Sequence, residues 1–508
     1  MNQTDGPRAG ARGWVALVVL MLPVLLVSID NTVLSFALPE ISLALAPTGA
    51  EQLWIIDIYP LVLAGLLVTM GTLGDRFGRR RMLLIGSIGF AAVSALAAFA
   101  PTAGLLVASR ALLGFFGAML MPSTLSLLRT IFPNRDQRRL AIAVWAAAFS
   151  GGSALGPIVG GILLEHFWWG SVFLMAVPVL IPLLIAAPFL LPESSDPQPG
   201  RIDVLSIVLS MATMVPVVYA IKSVAVDGLS VSAAAWAVLG LVMGWLFVRR
   251  QLSATSRGRT PMLDMALFRK GGFSGAILVN LLSVIALVGF LYFVPQHLQL
   301  VLGLSPLVAG LALVPGMVTV IVAGLAIVPF SRRYAPSVIV PIALVFSVAG
   351  YLLVAFATDD SALLSLVLAF VVLGIGIGAA ETVSNELILA HAPPEKAGAA
   401  SAVSETAYEL GAVLGTAILG GLITAFYRSA LVIPAGITAE GAAAARETLA
   451  GAWVLAHDLP ADVGDALWTA AVAAFESGVF VTSLIGAGLV VVAAVIAATT
   501  LGGRARAR

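Results

Sequence analysis

The chain has 508 residues, of which 60% are apolar and only 10% are charged, with a mean hydropathy of +1.06 and a formal net charge of +1. A soluble domain carries about 25% charged residues, so the composition excludes a soluble domain with one anchor and indicates a membrane protein throughout. The chain has no cysteine and only four scattered histidines, which argues against a disulfide framework, thiolate chemistry and a Cys-based metal site. None of the three lysines follows a glycine, so a phosphate-binding loop is absent. Any pumping by this chain alone must use an ion gradient rather than ATP.

Fourteen apolar runs of about 20 residues, the length that crosses the hydrocarbon core, predict an all-α membrane protein. They lie near 14–38, 51–73, 82–100, 104–127, 139–164, 169–191, 202–221, 232–248, 272–295, 304–328, 336–356, 362–386, 399–425 and 477–500. The first run follows Arg8 and Arg12 as a signal peptide would. It is too long and has no small-residue cleavage site, so we expect it to be a retained span.

Basic residues alternate between the two sides of these spans. Tails and even-numbered loops hold 23 of the 27 Lys and Arg residues, whereas the odd-numbered loops hold only Lys222, Arg428 and Arg446, and Arg110 lies inside a span. Cytoplasmic loops carry the excess of basic residues. We therefore predict that both termini are cytoplasmic, that the basic loop 249–270 is inside and that the long loop 426–475 is outside. The long loop is expected either to form a helical cap or to be loosely ordered.

The turn between the second and third runs, GTLGDRFGRRR at 71–81, is too short for anything but a helix hairpin. Glycine permits close backbone approach and tight turning, and an acid can cap a helix end or pair with an arginine. The residues singled out as a conformational motif are Gly71, Gly74, Asp75, Arg76, Gly78, Arg79 and Arg80. The alternative is the Arg-rich inner loop that any polytopic protein can have.

A second pattern lies in the fifth run, SGGSALGPIVGG at 150–161, where Gly152, Gly156 and Gly160 repeat every four residues beside Pro157. Small residues at this spacing form one helix face for close packing, and proline bends the helix. Residues 141–163 align with 400–422 at a constant offset of 259, which matches Gly152 with Gly411 and Gly156 with Gly415. The fifth run then corresponds to the thirteenth, which is the spacing of two six-span halves with two spans inserted between them.

We therefore divide the chain into an N-terminal tail, an N-terminal six-helix bundle, two inserted helices with a linker, a C-terminal six-helix bundle and a C-terminal tail. The corresponding ranges are 1–13, 14–191, 192–271, 272–500 and 501–508, with the loop 426–475 inside the C-terminal bundle.

Three charged residues fall inside spans of the N-terminal half. Asp30 lies about 16 residues into the first run, and Asp57 and Arg110 lie about 6 residues from the outer ends of theirs. At 1.5 Å per residue all three lie about 10 Å below the outer surface, so we expect one buried cluster. A charge at this depth costs about 2.5–3.5 kcal/mol and needs a partner. The cluster is either a static ion pair or a proton relay, in which burial raises and a nearby arginine lowers the pKa of an aspartate.

The thirteenth run carries two acids one turn apart on one face, Glu405 and Glu409, with Tyr408 beside them. Trp145 and Phe149 occupy the corresponding region of the fifth run. Carboxylates with aromatic rings suit a flat lipophilic cation, although an aromatic stripe alone is more often packing. Glu381, near the inner end of the twelfth run, is a weaker member of this predicted binding site.

The motifs resemble those of the major facilitator superfamily, and in particular its fourteen-span drug:proton antiporters of the QacA, SmvA and LfrA type. The similar stretches are GTLGDRFGRR at 71–80, SIDNTVLSFALPEI at 28–41, LLVASRALLGFFGA at 105–118, SGGSALGPIVGG at 150–161 and SETAYELGAVLG at 404–415. The resemblance implies the facilitator fold and export of quaternary ammonium compounds, dyes and viologens, and extends to fluoroquinolones, in exchange for protons. QacA-type exporters of dications have an extra acid in the tenth span, and 304–328 contains none.

From these observations we expect a proton-coupled multidrug exporter in a bacterial plasma membrane, working as a monomer. Asp30, Asp57 and Arg110 are the predicted proton-coupling residues, and Glu405, Glu409, Tyr408, Trp145, Phe149 and Glu381 are the predicted substrate-binding residues. We expect no enzymatic activity, no metal and no cofactor other than protons, and as partners lipophilic cations and the bilayer but no nucleic acid. The alternatives are an exporter of an endogenous metabolite or lipid, and a non-transporting sensor. A sensor would gain nothing from costly acids inside the membrane.

Overall fold

The structure is a computed structural model that describes residues 7–195, 203–256, 262–356, 362–391 and 397–502. Parts of the predicted tails and of the basic linker, namely 1–6, 257–261 and 503–508, lie outside the described residues. Within the described ranges the chain is helical and contains no β-strand. We call the end of the molecule that holds the 71–81 turn the inner end and the opposite end the outer end, following the charge prediction.

The N-terminal half consists of six spans. They are formed by α1 (Ala11–Leu45), α2 (Gly49–Phe77), α3 (Arg79–Ala98), α4 (Ala103–Ile131), α5 (Arg135–His166), and α6 (Ser171–Leu174) with α7 (Ala176–Leu190) as the two parts of the sixth. The inserted helices are α8 (Val204–Asp227) and α9 (Val231–Ser256).

The C-terminal half also has six spans, with two additional short helices between its last two spans. It contains α10 (Gly271–Gln296), α11 (Pro306–Ser331), α12 (Pro336–Ala355), α13 (Ala362–His391), α14 (Ala397–Gly415), α15 (Gly421–Ala430), α16 (Ala439–Glu447), α17 (Leu449–Asp458) and α18 (Ala461–Thr500). A π-helical turn at Thr416–Gly420 joins α14 and α15 into one span, and another at His297–Val301 extends α10. Among the described residues 14 helical spans are long and apolar enough to cross a membrane, which confirms the predicted number.

The two halves pack their glycine helices in the same way. A Cβ atom at Gly152 of α5 would lie 2.8 Å from the Ser28 side chain and 3.1 Å from the Leu25 carbonyl oxygen of α1. A Cβ atom at Gly411 of α14 would lie 2.8 Å from Val284 and 3.0 Å from the Leu281 carbonyl oxygen of α10. Real Cβ atoms essentially never approach another atom to 2.8 Å, so both glycines allow the helices to pack this closely. The matching contacts support the internal repeat.

The segment 426–475 forms a helical cap rather than a loosely ordered loop. The two short helices α16 and α17 each begin at a threonine N-cap, whose hydroxyl accepts a backbone N–H. The Tyr427 hydroxyl donates to the Ala445 carbonyl oxygen at 2.7 Å and so fixes α16 on the end of α15. The helix that contains the predicted span 477–500, α18, begins earlier, at Ala461.

The inserted helices pack on each other, and α8 also packs on α2 and α15. At the inner end, Asp203 at the N-cap of α8 pairs with Arg250 of α9, with 2.8 Å between the Oδ1 and Nη2 atoms. Hydrogen bonds from Arg250 lower the pKa of the partly exposed Asp203 carboxyl to about 2. The pair therefore stays charged at physiological pH and holds the two inserted helices together at that end.

Candidate functional site

The first part of the site is a buried ion pair between α1 and α4. Arg110 Nη1 lies 2.7 Å from Asp30 Oδ2, and the two side chains are 2% and 6% exposed. The Arg110 Nε also donates to the Ile55 carbonyl oxygen of α2 at 3.2 Å, and the guanidinium carbon lies 4.5 Å from the centre of the Tyr59 ring. Ion pair, hydrogen bond and ring together satisfy a charge that would be too costly alone at this depth. The structure brings Asp30 and Arg110 together, as predicted.

Asp57 does not join this pair, which corrects the expectation of a single three-residue cluster. Its Oδ2 atom lies 2.9 Å from the Nζ of Lys222 in α8, and the two side chains are 0% and 2% exposed. Lys222 was assigned to an outer loop from its sequence position and is instead buried. The Asp57 side chain points toward the inserted helix, because position along a span does not determine rotation about the helix axis.

The second part of the site is a group of three glutamates around Tyr408. Glu405 and Glu409 lie on the same face of α14, and Glu381 approaches from α13, so that all three lie within electrostatic range of the Tyr408 hydroxyl. Glu409 is 1% exposed, whereas Glu381 and Glu405 are half-buried. The Oε2 of Glu409 and the Oε1 of Glu381 are buried and have no hydrogen-bond partner in the described part of the chain. Glu381, the weakest prediction from sequence, thus belongs with the other two acids.

Three aromatic rings connect the halves beside these acids. Trp145 and Phe149 of α5 stack with ring centres 6.2 Å apart and planes 10° from parallel. Phe149 meets Tyr408 of α14 edge to face at 6.1 Å. The indole N–H of Trp145 donates to the Thr124 hydroxyl at 3.1 Å, which holds the ring in place. The predicted aromatic residues therefore lie together, next to the glutamates.

The glutamates also face the N-terminal ion pair. Asn31 of α1 faces the Glu409 carboxylate, and Asp30 lies within electrostatic range of it. Tyr59 of α2 lies within range of Asp30, Arg110 and Glu409 together. The acid of the C-terminal half and the ion pair of the N-terminal half are thus neighbours at the boundary between the halves.

At the outer end the two halves are joined directly by four hydrogen bonds between described residues. They run from Gly49 N to Glu447 Oε2 (3.0 Å), from Gln52 Nε2 to Gln296 Oε1 (3.4 Å), from Gln299 Nε2 to the Phe36 carbonyl oxygen (3.1 Å) and from Leu307 N to Glu165 Oε2 (3.4 Å). These uncharged or singly charged contacts are weak enough individually to break and re-form as helices move.

The glycine-rich helix α5 packs closely against α1 of its own half and against α11 of the opposite half. A Cβ atom at Gly160 would lie 2.8 Å from Val33 of α1, and one at Gly161 would lie 2.8 Å from the Leu307 backbone of α11. Gly156 packs against Thr32 and Val33. Pro157 lies inside α5, where its carbonyl oxygen faces Gly310 of α11. The motif therefore brings α5 close to a helix of its own half on one face and to the opposite half on the other.

At the inner end, the 71–81 turn is held by an acid that sequence analysis did not identify. Gly78 has φ = 103°, a left-handed conformation that favours glycine, and a Cβ atom there would also clash with Glu193. The Glu193 Oε1 accepts the Arg80 backbone N–H at 3.0 Å, and Arg79 pairs with Asp75 within the turn. Arg80 donates to the Leu191 carbonyl oxygen at 3.1 Å.

The other residues of the turn differ in their surroundings. A Cβ atom at Gly74 would clash with the Arg79 side chain, whereas one at Gly71 would make only ordinary contacts. The Arg76 side chain is exposed.

Comparison with known proteins agrees with this architecture. The profile of the Major Facilitator Superfamily matches residues 20–416 and 276–502. The chain belongs to the major facilitator superfamily. It is therefore a multi-pass membrane transporter and not an enzyme.

Two curated relatives from this superfamily cover nearly the whole chain. The multidrug efflux pump LfrA of Mycolicibacterium smegmatis is 58% identical over 489 residues, covering 96% of both chains. The methyl viologen resistance protein SmvA of Salmonella typhimurium is 38% identical over 469 residues, covering 91% of this chain and 93% of its own.

Solved structures show the same facilitator fold at low sequence identity. An inward-facing bacterial homologue of the human lysosomal transporter Spinster is 16% identical, with a TM-score of 0.67 over 98% of this chain and all of its own. A D-xylose–proton symporter is 15% identical, with a TM-score of 0.58 over 96% of this chain and 98% of its own.

Sequence reasoning missed three members of the site, namely Lys222, Glu193 and Asn31. Lys222 could have been found from its position, since it lies 19 residues after Asp203 in a run long enough to span the membrane. A lysine in that place needs a buried acid. Glu193 lies just beyond the end of the sixth span and Asn31 is next to Asp30, and no spacing in the sequence predicts which groups they contact.

Proposed function

We propose that the protein is a proton-coupled drug exporter that takes lipophilic cations from the inner side of a bacterial plasma membrane. The observation that carries this proposal is the group of three glutamates around Tyr408, flanked by the Trp145–Phe149 stack and facing the Asp30–Arg110 pair. Export of drugs is supported by the names of the relatives LfrA and SmvA.

The glutamate group supplies what a lipophilic cation needs. A cation that leaves water loses hydration, and carboxylates restore part of that free energy while aromatic faces add cation–π attraction. Glu409 is buried and its Oε2 atom has no hydrogen-bond partner in the described part of the chain, so a bound cation would supply the partner that this oxygen lacks. Trp145 and Phe149 are half-buried and present flat surfaces of the size of a small aromatic dye.

The neighbouring ion pair supplies a proton site. A proton on Asp30 neutralises its carboxylate and releases Arg110, which keeps the Ile55 carbonyl oxygen and the Tyr59 ring as partners. Because Asp30 lies within electrostatic range of Glu409, loading of a proton and loading of a cation act on the same charge cluster. Two positive charges bound in one cluster repel each other, so binding of a proton disfavours binding of a cation, and this is the basis of exchange.

The helix contacts allow alternating access. The halves are tied at the outer end by the four hydrogen bonds between them, and α5 is closely packed against both α1 and α11 through glycines. We take this arrangement to be a state closed at the outer end. Opening there requires α5 and α11 to separate where Gly161 meets Leu307.

The deciding experiment is dye efflux from the purified protein in proteoliposomes. A monocationic dye is supplied on the side of the membrane that the inner end of the protein faces, and its transfer to the other side is followed with and without a proton gradient. We expect the proton gradient to drive accumulation of the dye on that other side against the dye's own concentration gradient. An uncoupler should abolish this accumulation. Dye efflux that is unchanged by the uncoupler would contradict this proposal. Dye efflux that is inhibited by a cellular metabolite but not by other cations would favour the endogenous-substrate alternative.

A further inference from the structure

The inserted helices have no counterpart in the two six-helix halves, yet α8 places a charged side chain among the buried residues. Lys222 Nζ lies 2.9 Å from Asp57 Oδ2, and both side chains are almost completely buried. The pair joins α8 to α2, helices that are distant in sequence and packed against each other. A lysine is costly at this depth, so a helix that served only as a spacer would gain nothing from carrying one.

Two groups besides Asp57 contact the ammonium group of Lys222. Lys222 Nζ donates to the Leu53 carbonyl oxygen at 3.1 Å and lies 3.7 Å from the centre of the Trp54 ring. Both groups belong to α2 and attract a cation whatever the state of Asp57. They hold the ammonium group in place if the ion pair opens.

The Asp57 carboxylate lacks well-formed hydrogen bonds. Within the described ranges both of its oxygen atoms are buried and neither has a hydrogen-bond donor of good geometry, although Oδ2 lies close to Lys222. The Thr416 hydroxyl in the π-helical turn of the thirteenth span lies next to the carboxylate, and Tyr292 of α10 lies within electrostatic range of it. The N-terminal half, the inserted helix and the C-terminal half thus meet at one carboxylate.

We propose that Lys222 is a positioning residue for proton coupling, so that the inserted helices take part in transport through the Asp57–Lys222 pair. This inference rests on the proposed proton exchange. A proton that adds to the Asp57 carboxylate removes its negative charge and opens the ion pair, while the ammonium group remains on the Leu53 oxygen and the Trp54 ring. The turn containing Thr416 then loses its charged neighbour and can move relative to α2. Loss of the proton restores the pair.

The test compares Lys222→Gln, Lys222→Arg, Asp57→Asn and the double variant Asp57→Asn with Lys222→Gln in proteoliposomes. For each, the amount of monodisperse protein, the dissociation constant of a monocationic dye and the pH profile of proton-driven dye efflux are measured. We expect Lys222→Gln and Asp57→Asn to lower proton-driven efflux by about ten- to a hundredfold and to flatten its pH profile. Lys222→Arg keeps the positive charge and should keep the pH profile.

The double variant separates coupling from folding. It removes both buried charges, so it should accumulate and bind dye like the wild type, because no unpaired charge is left in the interior. Its proton-driven efflux should remain low. The matched control is Asp203→Asn with Arg250→Gln, which removes the other ion pair of the inserted helices at their partly exposed end and should leave efflux unchanged.

Wild-type efflux and pH profile in the double variant would overturn the inference and make the pair purely structural. If the double variant does not accumulate, Lys222→Arg decides, since loss of proton-driven efflux in a folded Lys222→Arg protein would show that charge at this position is not what matters. A wild-type protein without uncoupler-sensitive efflux would instead refute the proposed function itself.

Discussion

Removing the charge of Glu409 should weaken binding of cations and spare neutral compounds. Glu409 is the most deeply buried acid of the glutamate group, and Glu409→Gln keeps its shape while removing its charge. A neutral ligand gains only apolar contact at this site, whereas a cation also gains the carboxylate. The substitution therefore acts on the part of the binding free energy that depends on ligand charge.

The size of the effect follows from Coulomb attraction reduced by desolvation. Two unit charges 4 Å apart attract by about 4 kcal/mol at an effective dielectric constant near 20. Half-buried Glu405 and Glu381 remain and supply part of that attraction after the substitution. We expect a net loss of about 1.5–3 kcal/mol for a monocation, which is about a 10- to 150-fold increase in Kd. For a neutral compound the change should stay below about threefold.

The assay measures Kd and efflux for one neutral, one monocationic and one dicationic compound in Glu409→Gln and Glu405→Gln. Because Glu405 lies one turn nearer the inner end, its loss should affect the dication more than the monocation. Glu386→Gln is the matched control, since it removes an exposed acid of α13 that lies outside the glutamate group. It should change neither quantity.

Two results would refute the reasoning in different ways. Equal and mild losses for all three compounds would return both glutamates to a packing role. Loss of efflux for every compound in Glu409→Gln, with binding of the neutral compound intact, would show that Glu409 carries the transported proton.

Three further predictions concern topology, coupling and packing. In this Cys-free chain, a cysteine replacing Arg446 should react in intact cells with a membrane-impermeant thiol reagent, whereas one replacing Arg269 should not; the reverse pattern would overturn the predicted orientation. Asp30→Asn should keep dye binding and lose proton-driven efflux, because Arg110 retains the Ile55 oxygen and the Tyr59 ring; normal uncoupler-sensitive efflux would remove Asp30 from the mechanism. Gly156→Val should lower the free energy of unfolding by about 1–3 kcal/mol through overpacking against Thr32 and Val33, and should lower the melting temperature of the purified protein. Gly151→Ala, whose added methyl group meets open space, should not. Equal melting temperatures would show that α1 and α5 can separate freely.

Several features of the protein could be predicted from the sequence because they depend on local properties of the chain. The length of each apolar run sets the number of spans, and the spacing of Gly152, Gly156 and Gly160 sets a packing face. Counting residues from a span end also gave comparable depths for Asp30 and Arg110, which the structure pairs. The chemical character of the site, acids with aromatic rings, was likewise present in the residues 404–415.

Which side chains meet was decided only by the tertiary structure. Depth follows from 1.5 Å per residue, but the direction of a side chain depends on helix rotation and on which helices are neighbours. Asp57 therefore pairs with Lys222, 165 positions away, rather than with Arg110. Glu381 joins Glu405 and Glu409 because α13 packs beside α14, and Glu193 returns to the 71–81 turn from the end of the sixth span. Hydropathy and spacing are properties of one segment, whereas these contacts are made between segments whose arrangement depends on the packing of the whole helix bundle.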